Sequence, residues 1–337
     1  MAGAAAACPD GRDLPIVDAH QHFWDLERHY YPWLCDPEPI PFRYGDYSAL
    51  RRSYLPEDYR CDTRAWRIVK TVHVEAEWDR GEPVAETRWL ETVRERHGLP
   101  TACVAYCALD RPDAEGVLAA QSASPLVRGI RHKPQTASLP REAKRGKPGS
   151  MDDPAWRRGY ALLARHGLSF DLQTAWWHLD AAAELARDFP DTQIVINHTA
   201  LPADRSAEGL SAWRRAIERV AQAPNVAIKI SGLGHPPAPW TAQANGPIIR
   251  DAVAIFGADR AMFASNYPVD SLIATYDEII LGFLSATNHL SAEDRRKLRC
   301  DTAVRIYRLD PEFVIHGSEK QAGRPSEPDG SHREESR

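Results

Sequence analysis

The chain has 337 residues, 43% of them hydrophobic and 26% charged, a globular composition with apolar material enough for one α/β barrel or two smaller domains. A formal net charge of -5, with Lys and Arg spread along the sequence, excludes the strong basic field that nucleic acid or an anionic membrane would require. Six cysteines without a CxxC pair argue against a disulfide scaffold and for thiols in a reducing compartment.

The Ala-rich start, Ala2–Ala7, lacks basic residues and is too short for a signal-peptide core, and no run approaches a membrane span, so the expected location is cytoplasmic. Residues 1–14 are expected to be flexible. A first strand over Ile16–His20 then leads into a long loop at about 23–58 that holds Trp24, Tyr30, Tyr31, Trp33, Phe42, Tyr44 and Tyr47 among prolines 32, 37, 39 and 41. So many rings need burial, which makes this an ordered loop, either a lid over a pocket or a packing element.

From there strand-like and helix-like segments alternate. Strands are predicted at Ile68–Glu75, Thr101–Ala108, Leu126–Lys133, Leu168–Thr174, Gln193–His198, Val226–Ser231 and Ala261–Asn266, with helices at Val84–His97, Pro154–His166, Leu179–Asp188, Ser211–Ala223, Pro247–Phe256 and Asp270–Ala286. With the opening strand, eight βα units favour a closed (β/α)8 TIM-type barrel over 15–310, and the absence of GxGxxG after the first strand counts against a Rossmann sheet. Inserts at 134–153 and 234–246 follow the fourth and seventh strands, on the face where a barrel carries its active site. A last helical piece starts at Ser291, with Asp294 three residues on as a capping-box partner, and runs to about Leu309. The polar tail, 317–337, is expected to be disordered.

Strand periodicity gathers polar side chains near the strand ends. His20 and His22, two residues apart, project to one face, a geometry that suits one metal ion or one substrate oxygen. On the second strand His73 and Glu75 share a face opposite Val72 and Val74; the fourth pairs Arg131 with Lys133, a combination suited to a carboxylate. The fifth offers Asp171 and Gln173, the sixth His198, the seventh Lys229 and Ser231, the last Asn266. Polar groups inside a barrel cost about 2–7 kcal/mol each when unpaired, so this many at strand ends implies a polar pocket. Glu75 has a second reading, as a buried ion-pair partner of Lys229 or Arg131.

The motifs Asp18-Ala-His-Gln-His-Phe-Trp24, Gly129-Ile-Arg-His132, Asp171-Leu-Gln173, Ile194-Val-Ile-Asn-His198, Ile228-Lys-Ile-Ser-Gly-Leu233 and Met262-Phe-Ala-Ser-Asn-Tyr-Pro-Val269 together resemble the amidohydrolase-related proteins of the amidohydrolase 2 group. Within that group the resemblance is to the branch of sugar-acid lactonases and 2-pyrone-4,6-dicarboxylate lactonase. It implies a distorted (β/α)8 barrel and hydrolysis of a lactone or similar ester-like bond by activated water. His20, His22 and His198 would surround the reactive centre, Arg131 would bind substrate and Gln173 would line the pocket; some members hold one divalent metal there and others work without one. A metal on three imidazoles would be Zn2+.

One position departs from the pattern. The family's last strand usually ends in Ser-Asp-Trp-Pro, and this chain reads Ser265-Asn-Tyr-Pro268. An amide is no base at neutral pH and a poor replacement for an anionic ligand. Either Asp270 or Glu75 substitutes, or a histidine serves as base, or hydrolysis is lost. The expected site is therefore His20, His22, His198 and Asp270 as catalytic residues, with Arg131, Lys133, Gln173, Glu75, Asn266 and Trp24 binding a small, carboxylated substrate, weak Zn2+ binding at the three histidines, and no nucleic-acid or membrane partner. A homo-oligomer is left open. A metal-dependent decarboxylase, or a barrel that binds without hydrolysing, is the alternative.

Overall fold

The computed structural model describes residues 12–311. Eight parallel strands lie in sequence order, β1 (Ile16–Gln21), β2 (Ile68–Val74), β3 (Ala102–Tyr106), β4 (Val127–Arg131), β5 (Ser169–Leu172), β6 (Ile194–Ile196), β7 (Val226–Ile230) and β8 (Ala261–Phe263). Helices alternate with them on the outside, as expected of a (β/α)8 barrel. One apolar set, including Val17, Ala19, Val72, Val74, Ala102, Val104, Val195, Ala227, Met262 and Ala264, fills the interior. The alternate residues, such as Ile130, Phe170, Leu172, Ile194, Ile196, Ile228 and Phe263, join the layer under the helices. This split is the period of two read from the sequence.

The ring closes late. β1 and β8 meet beyond the end of β8, where Asn266 N donates to His20 O at 2.7 Å and His22 N to Tyr267 O at 2.8 Å. Below that point the Asp18 carboxylate bridges the gap, accepting from Ser265 N at 2.9 Å and from the Tyr59 hydroxyl at 2.8 Å. The C-terminal segment Lys297–Ile306 packs against both strands there, and Cys300, Ala303, Ile306 and Tyr307 join the interior set. Ser291 caps this segment, its Oγ accepting from Asp294 N at 3.0 Å.

Some helices differ from expectation. Ala114–Ser122 and Pro56–Thr63 were not predicted, and the former buries only Ala114, Leu118 and Gln121, too sparse a stripe to read. The helix expected from Pro247 starts at Ala242, because Thr241 caps it by accepting from Ala244 N at 3.1 Å; Pro247 falls in its second turn. The helix expected from Asp270 starts at Tyr276, where Thr275 and Glu278 form a capping box. The expectations for residues 1–11 and 317–337 lie outside the described residues.

A buried ion pair sits under the site. Lys229 Nζ is 2.6 Å from Asp171 Oδ2, both side chains fully buried, and Asp171 also accepts from Asn197 Nδ2 at 2.8 Å and the Tyr307 hydroxyl at 2.9 Å. Lys229→Met leaves a buried carboxylate without its cation, so unfolding should cost at least ~3 kcal/mol less than in the parent. Denaturant midpoints check this, with the Lys229→Met/Asp171→Leu double variant expected to recover most of the loss; a single variant as stable as the parent would contradict it.

Candidate active site

Between β1 and β2 the pairing slips: Asp18 faces Thr71, yet Gln21 faces His73, so three steps on one strand match two on the other. This bulge follows the interior residues Val17 and Ala19 and brings His20 and His22 to the same face. Their Nε2 atoms are 3.2 Å apart. His22 Nδ1 lies 2.7 Å from the Val74 carbonyl, which can only accept, so Nδ1 carries the hydrogen and Nε2 a lone pair. His20 must then donate through Nε2, which leaves its own Nδ1 buried without a partner.

His198 follows β6, its ring centroid 4.6 Å from that of His20 and its Nδ1 3.1 Å from Ser231 Oγ. It opens a left-handed turn, with φ of 52°, 53°, 58° and 51° from His198 to Leu201. Such a run costs about 1–2 kcal/mol per residue and persists where surroundings impose it. Here Thr199 Oγ1 donates to Ser231 O at 3.1 Å and Trp213 Nε1 donates to Thr199 O at 2.9 Å.

β4 delivers Arg131, 3% exposed. Its Nε donates to Glu75 Oε1 at 2.7 Å, Nη1 to Gln173 Oε1 at 3.0 Å, and Nη2 to the Glu75 carbonyl. Each terminal nitrogen keeps one further N–H. Glu75 is shared with Arg80, Nη1 to Oε2 at 2.9 Å. Burial alone would raise the Glu75 carboxyl, but Arg131, Arg80 and Lys133 hold it well below the usual range. Glu75 is thus the partner of Arg131, one of the two pairings expected, while Lys133 pairs with Glu77 on the cavity wall. His73 does not share its surroundings: it lies under the helix Ala85–His97, Nε2 at 3.2 Å from Glu86 Oε1. β2 ends at Val74, and Glu75 turns inward toward Arg131, so strict alternation fails there.

At the end of β8, Asn266 has φ 59° and donates through Nδ2 to Asp270 Oδ1 at 2.6 Å. Asp270 is 2% exposed and also accepts from the Tyr44 hydroxyl at 3.0 Å, with Arg43 Nη2 at 3.5 Å. Its burial raises its carboxyl above the ordinary value despite Arg43. It does fold back toward the mouth, but it stands behind Asn266 and does not line the cavity. The amide oxygen of Asn266 is left as the acceptor.

These groups surround a cavity of about 280 Å3 lined by His22, Trp24, Arg131, Lys133, Gln173, His198 and Asn266 together with Trp33, Phe42 and Arg43. His20 lies behind His22, and Glu75 behind Arg131. The aromatic loop supplies Trp24, Trp33, Phe42 and Arg43 to this lining. Arg43 escaped the sequence reading, since nothing local ties a loop arginine to a turn at Gly232, whose carbonyl its Nη1 approaches at 3.4 Å.

The electrostatics keep the imidazoles neutral. Burial is the largest cause for all three, and positive neighbours add to it: Lys229 at His20, Arg131 at His22, Arg43 and Arg131 at His198. Each titrates well below 6.5. A neutral imidazole beside a guanidinium can take a proton from water while the cation stabilises a developing oxyanion.

Residues 17–309 match the Amidohydrolase family model. The chain is 42% identical over 297 residues to the uncharacterized protein y4mH of Sinorhizobium fredii, covering 88% of this chain and 99% of that protein. It is 30% identical over 272 residues to the L-fucono-1,5-lactonase of Burkholderia ambifaria, covering 78% and 83% of the two chains. A crystal structure of a Burkholderia multivorans amidohydrolase with bound Zn superposes with a TM-score of 0.72 at 26% identity, over 88% of this chain and 99% of that one. With barrel, strand-end histidines and family model in agreement over nearly the whole described chain, this protein belongs to the Amidohydrolase family.

Proposed function

We propose that the cavity hydrolyses a lactone ring in a small, carboxylated substrate. The observation that carries this reading is that two neutral imidazoles, His22 and His198, line the same cavity as the guanidinium of Arg131, whose charge reaches both. The lactonase relative supports the same class of reaction.

With Nδ1–H donating to Ser231 Oγ, His198 presents a lone pair at Nε2 and acts as the general base. Water attacks the carbonyl carbon and its proton passes to His198. The remaining N–H groups of Arg131 bind the oxyanion, and Asn266 Oδ1 accepts a hydrogen bond from the attacking water. As the ring C–O bond breaks, the proton returns from His198 to the leaving alkoxide. The product is a hydroxy acid that ionises at neutral pH, releasing one proton per turnover. Trp24, Gln173 and Lys133 line the cavity around the substrate, and Asp270 is a positioning residue for Asn266. A panel of sugar-acid and unsaturated lactones read by proton release tests the reading: base uptake with carbon count unchanged is expected, and carbon dioxide release from an acid would point to decarboxylation instead.

The base must be unprotonated, and its folded value lies below 6.5. The acid limb of kcat/KM should therefore fall below pH 6.5, with a flat profile from there to pH 8. Half-loss of activity at or above pH 7 would contradict a histidine held neutral by burial and Arg43.

A resident dication fits these donors poorly. The Nε2 pair of His20 and His22 has a spacing two zinc bonds can span, but both would then need Nδ1–H donors with acceptors. His22 has one in Val74, and the buried Nδ1 of His20 has none. The strand-end carboxylate is an amide, and among the described residues no three His, Cys, Asp or Glu side chains converge as a metal site. Dialysis against a chelator is expected to leave turnover unchanged, with less than one metal per chain by elemental analysis; loss of activity restored by zinc would contradict this.

A further inference from the structure

A second cavity of about 400 Å3 adjoins the first, and Arg43 and Leu201 line both. Its wall carries Arg43, Tyr44, Trp177, Arg205 and His235 and no Asp or Glu side chain. Both guanidiniums line a cavity that has no carboxylate among its lining side chains, a setting suited to an oxyanion. Of the nearby carboxylates, Asp270 lies outside this lining, bonded to Asn266 and Tyr44 and 3.5 Å from Arg43 Nη2, and Asp204, close enough to feel His235, is exposed and bonded to Ser206; Arg205 is the guanidinium left without a carboxylate partner among the described residues. Arg205 donates through Nη2 to Leu233 O at 2.9 Å, while its Nε is buried with no partner.

The boundary between the cavities is built to hold Arg43 against the His198 turn. Gly232 has φ +63°, and a Cβ there would stand 2.7 Å from His198 Cβ and 2.9 Å from Arg43 Nη2. A Cβ on Gly234 would meet the Tyr44 ring at 2.9 Å. Arg43 thus reaches both spaces, its guanidinium over the Tyr44 ring at 4.4 Å, with a 3.4 Å contact to Gly232 O and a 3.5 Å approach to Asp270.

We infer that the substrate has two parts: the ring that opens lies among His22, His198 and Arg131, and a second oxyanion, carboxylate or phosphate, reaches the neighbouring cavity between Arg43 and Arg205. Trp177 offers an apolar face beside the linking chain. The inference rests on the lactone-opening reading for the first part, and the binding experiment below does not depend on turnover.

Calorimetry on the full chain would use α,ω-dicarboxylates of four to eight carbons, monocarboxylates of the same lengths, and the corresponding ω-phosphonoalkanoates. At least one two-headed probe is expected to bind roughly tenfold tighter than its monocarboxylate, the gain from one charge-assisted hydrogen-bonded contact. Arg205→Met should remove that gap and leave the monocarboxylate affinity in place. Arg205→Gln, which retains a donor for the Leu233 carbonyl, should do the same and covers the case in which the Met variant fails to fold. A larger gap for the phosphonates identifies phosphate as the second oxyanion, and a larger gap for the dicarboxylates identifies carboxylate. No gap in the parent, a gap that survives both substitutions, or no binding of any probe at ten millimolar overturns the inference. Lactone turnover without an Arg205-dependent gap overturns the second subsite alone; an Arg205-dependent gap with no lactone opened overturns the hydrolytic reading alone.

Discussion

His198→Ala should lower kcat/KM for ring opening by roughly 10²–10⁴-fold, the range for loss of a positioned general base, while the fold survives. The histidine sits at the start of a turn held by Thr199, Ser231 and Trp213, and none of those bonds uses the imidazole. Its one side-chain bond, Nδ1 to Ser231 Oγ, joins two neutral groups at the edge of a cavity, where water can replace the ring. The substitution also removes left-handed strain from no residue, since alanine at φ 52° is no easier than histidine, so a gain in stability is not expected. His198→Gln keeps a polar side chain of similar reach but no base, and should be as inactive. Turnover within fivefold of the parent in either variant would remove His198 from the role of base and leave His22, the other imidazole lining the cavity, as the candidate.

Arg131→Ala should cost roughly 10²–10³ in kcat, as removal of an oxyanion donor does elsewhere, with a smaller change in KM. Its three donors are anchored by the Glu75 carboxylate and carbonyl and by Gln173, so the guanidinium is fixed before substrate arrives. Glu75 would keep Arg80 and the Glu77 amide after the substitution, so it is not left as an unpaired buried charge and the chain should remain folded. Arg131→Lys preserves the charge and loses the fork, and is expected to recover only part of the rate. Equal kcat with a raised KM in Arg131→Ala would place the guanidinium in ground-state binding alone.

Much of this was legible because the barrel's two periodicities are written in short apolar runs. Ile194-Val-Ile and Val226-Ala-Ile-Lys-Ile read as strands from their β-branched runs, and in the structure they alternate between helix-facing and interior layers. Reading each strand end by its period put His20 with His22 and Arg131 with Lys133 and marked Gln173, His198 and Asn266, but it is the bulge between Asp18 and Gln21 that turns the two histidines to the interior after Val17 and Ala19. Where the reading failed, a local departure from regular geometry was responsible. The end of β2 at Val74 separates His73 from Glu75, and the Thr275 cap moves a helix start six residues. Asp270, one of the candidates to replace the missing aspartate, approaches Asn266 and stops behind it, where Tyr44 and Arg43 from the distant aromatic loop also reach its carboxylate. Asp18, inside the first motif, proves to be a strap across the late-closing strands, a role no spacing rule discloses. Arg43 and Arg205 depend on loops that meet only in three dimensions.

A crystal structure with the hydroxy-acid product of a turned-over lactone tests the central claim most directly. The product carboxylate should span the Arg131 guanidinium and His198 Nε2, within hydrogen-bond distance of both, with the Asn266 amide oxygen close to the carboxylate oxygen that came from water. A carboxylate bound away from both groups, with His198 closed off by apolar side chains, would contradict the account.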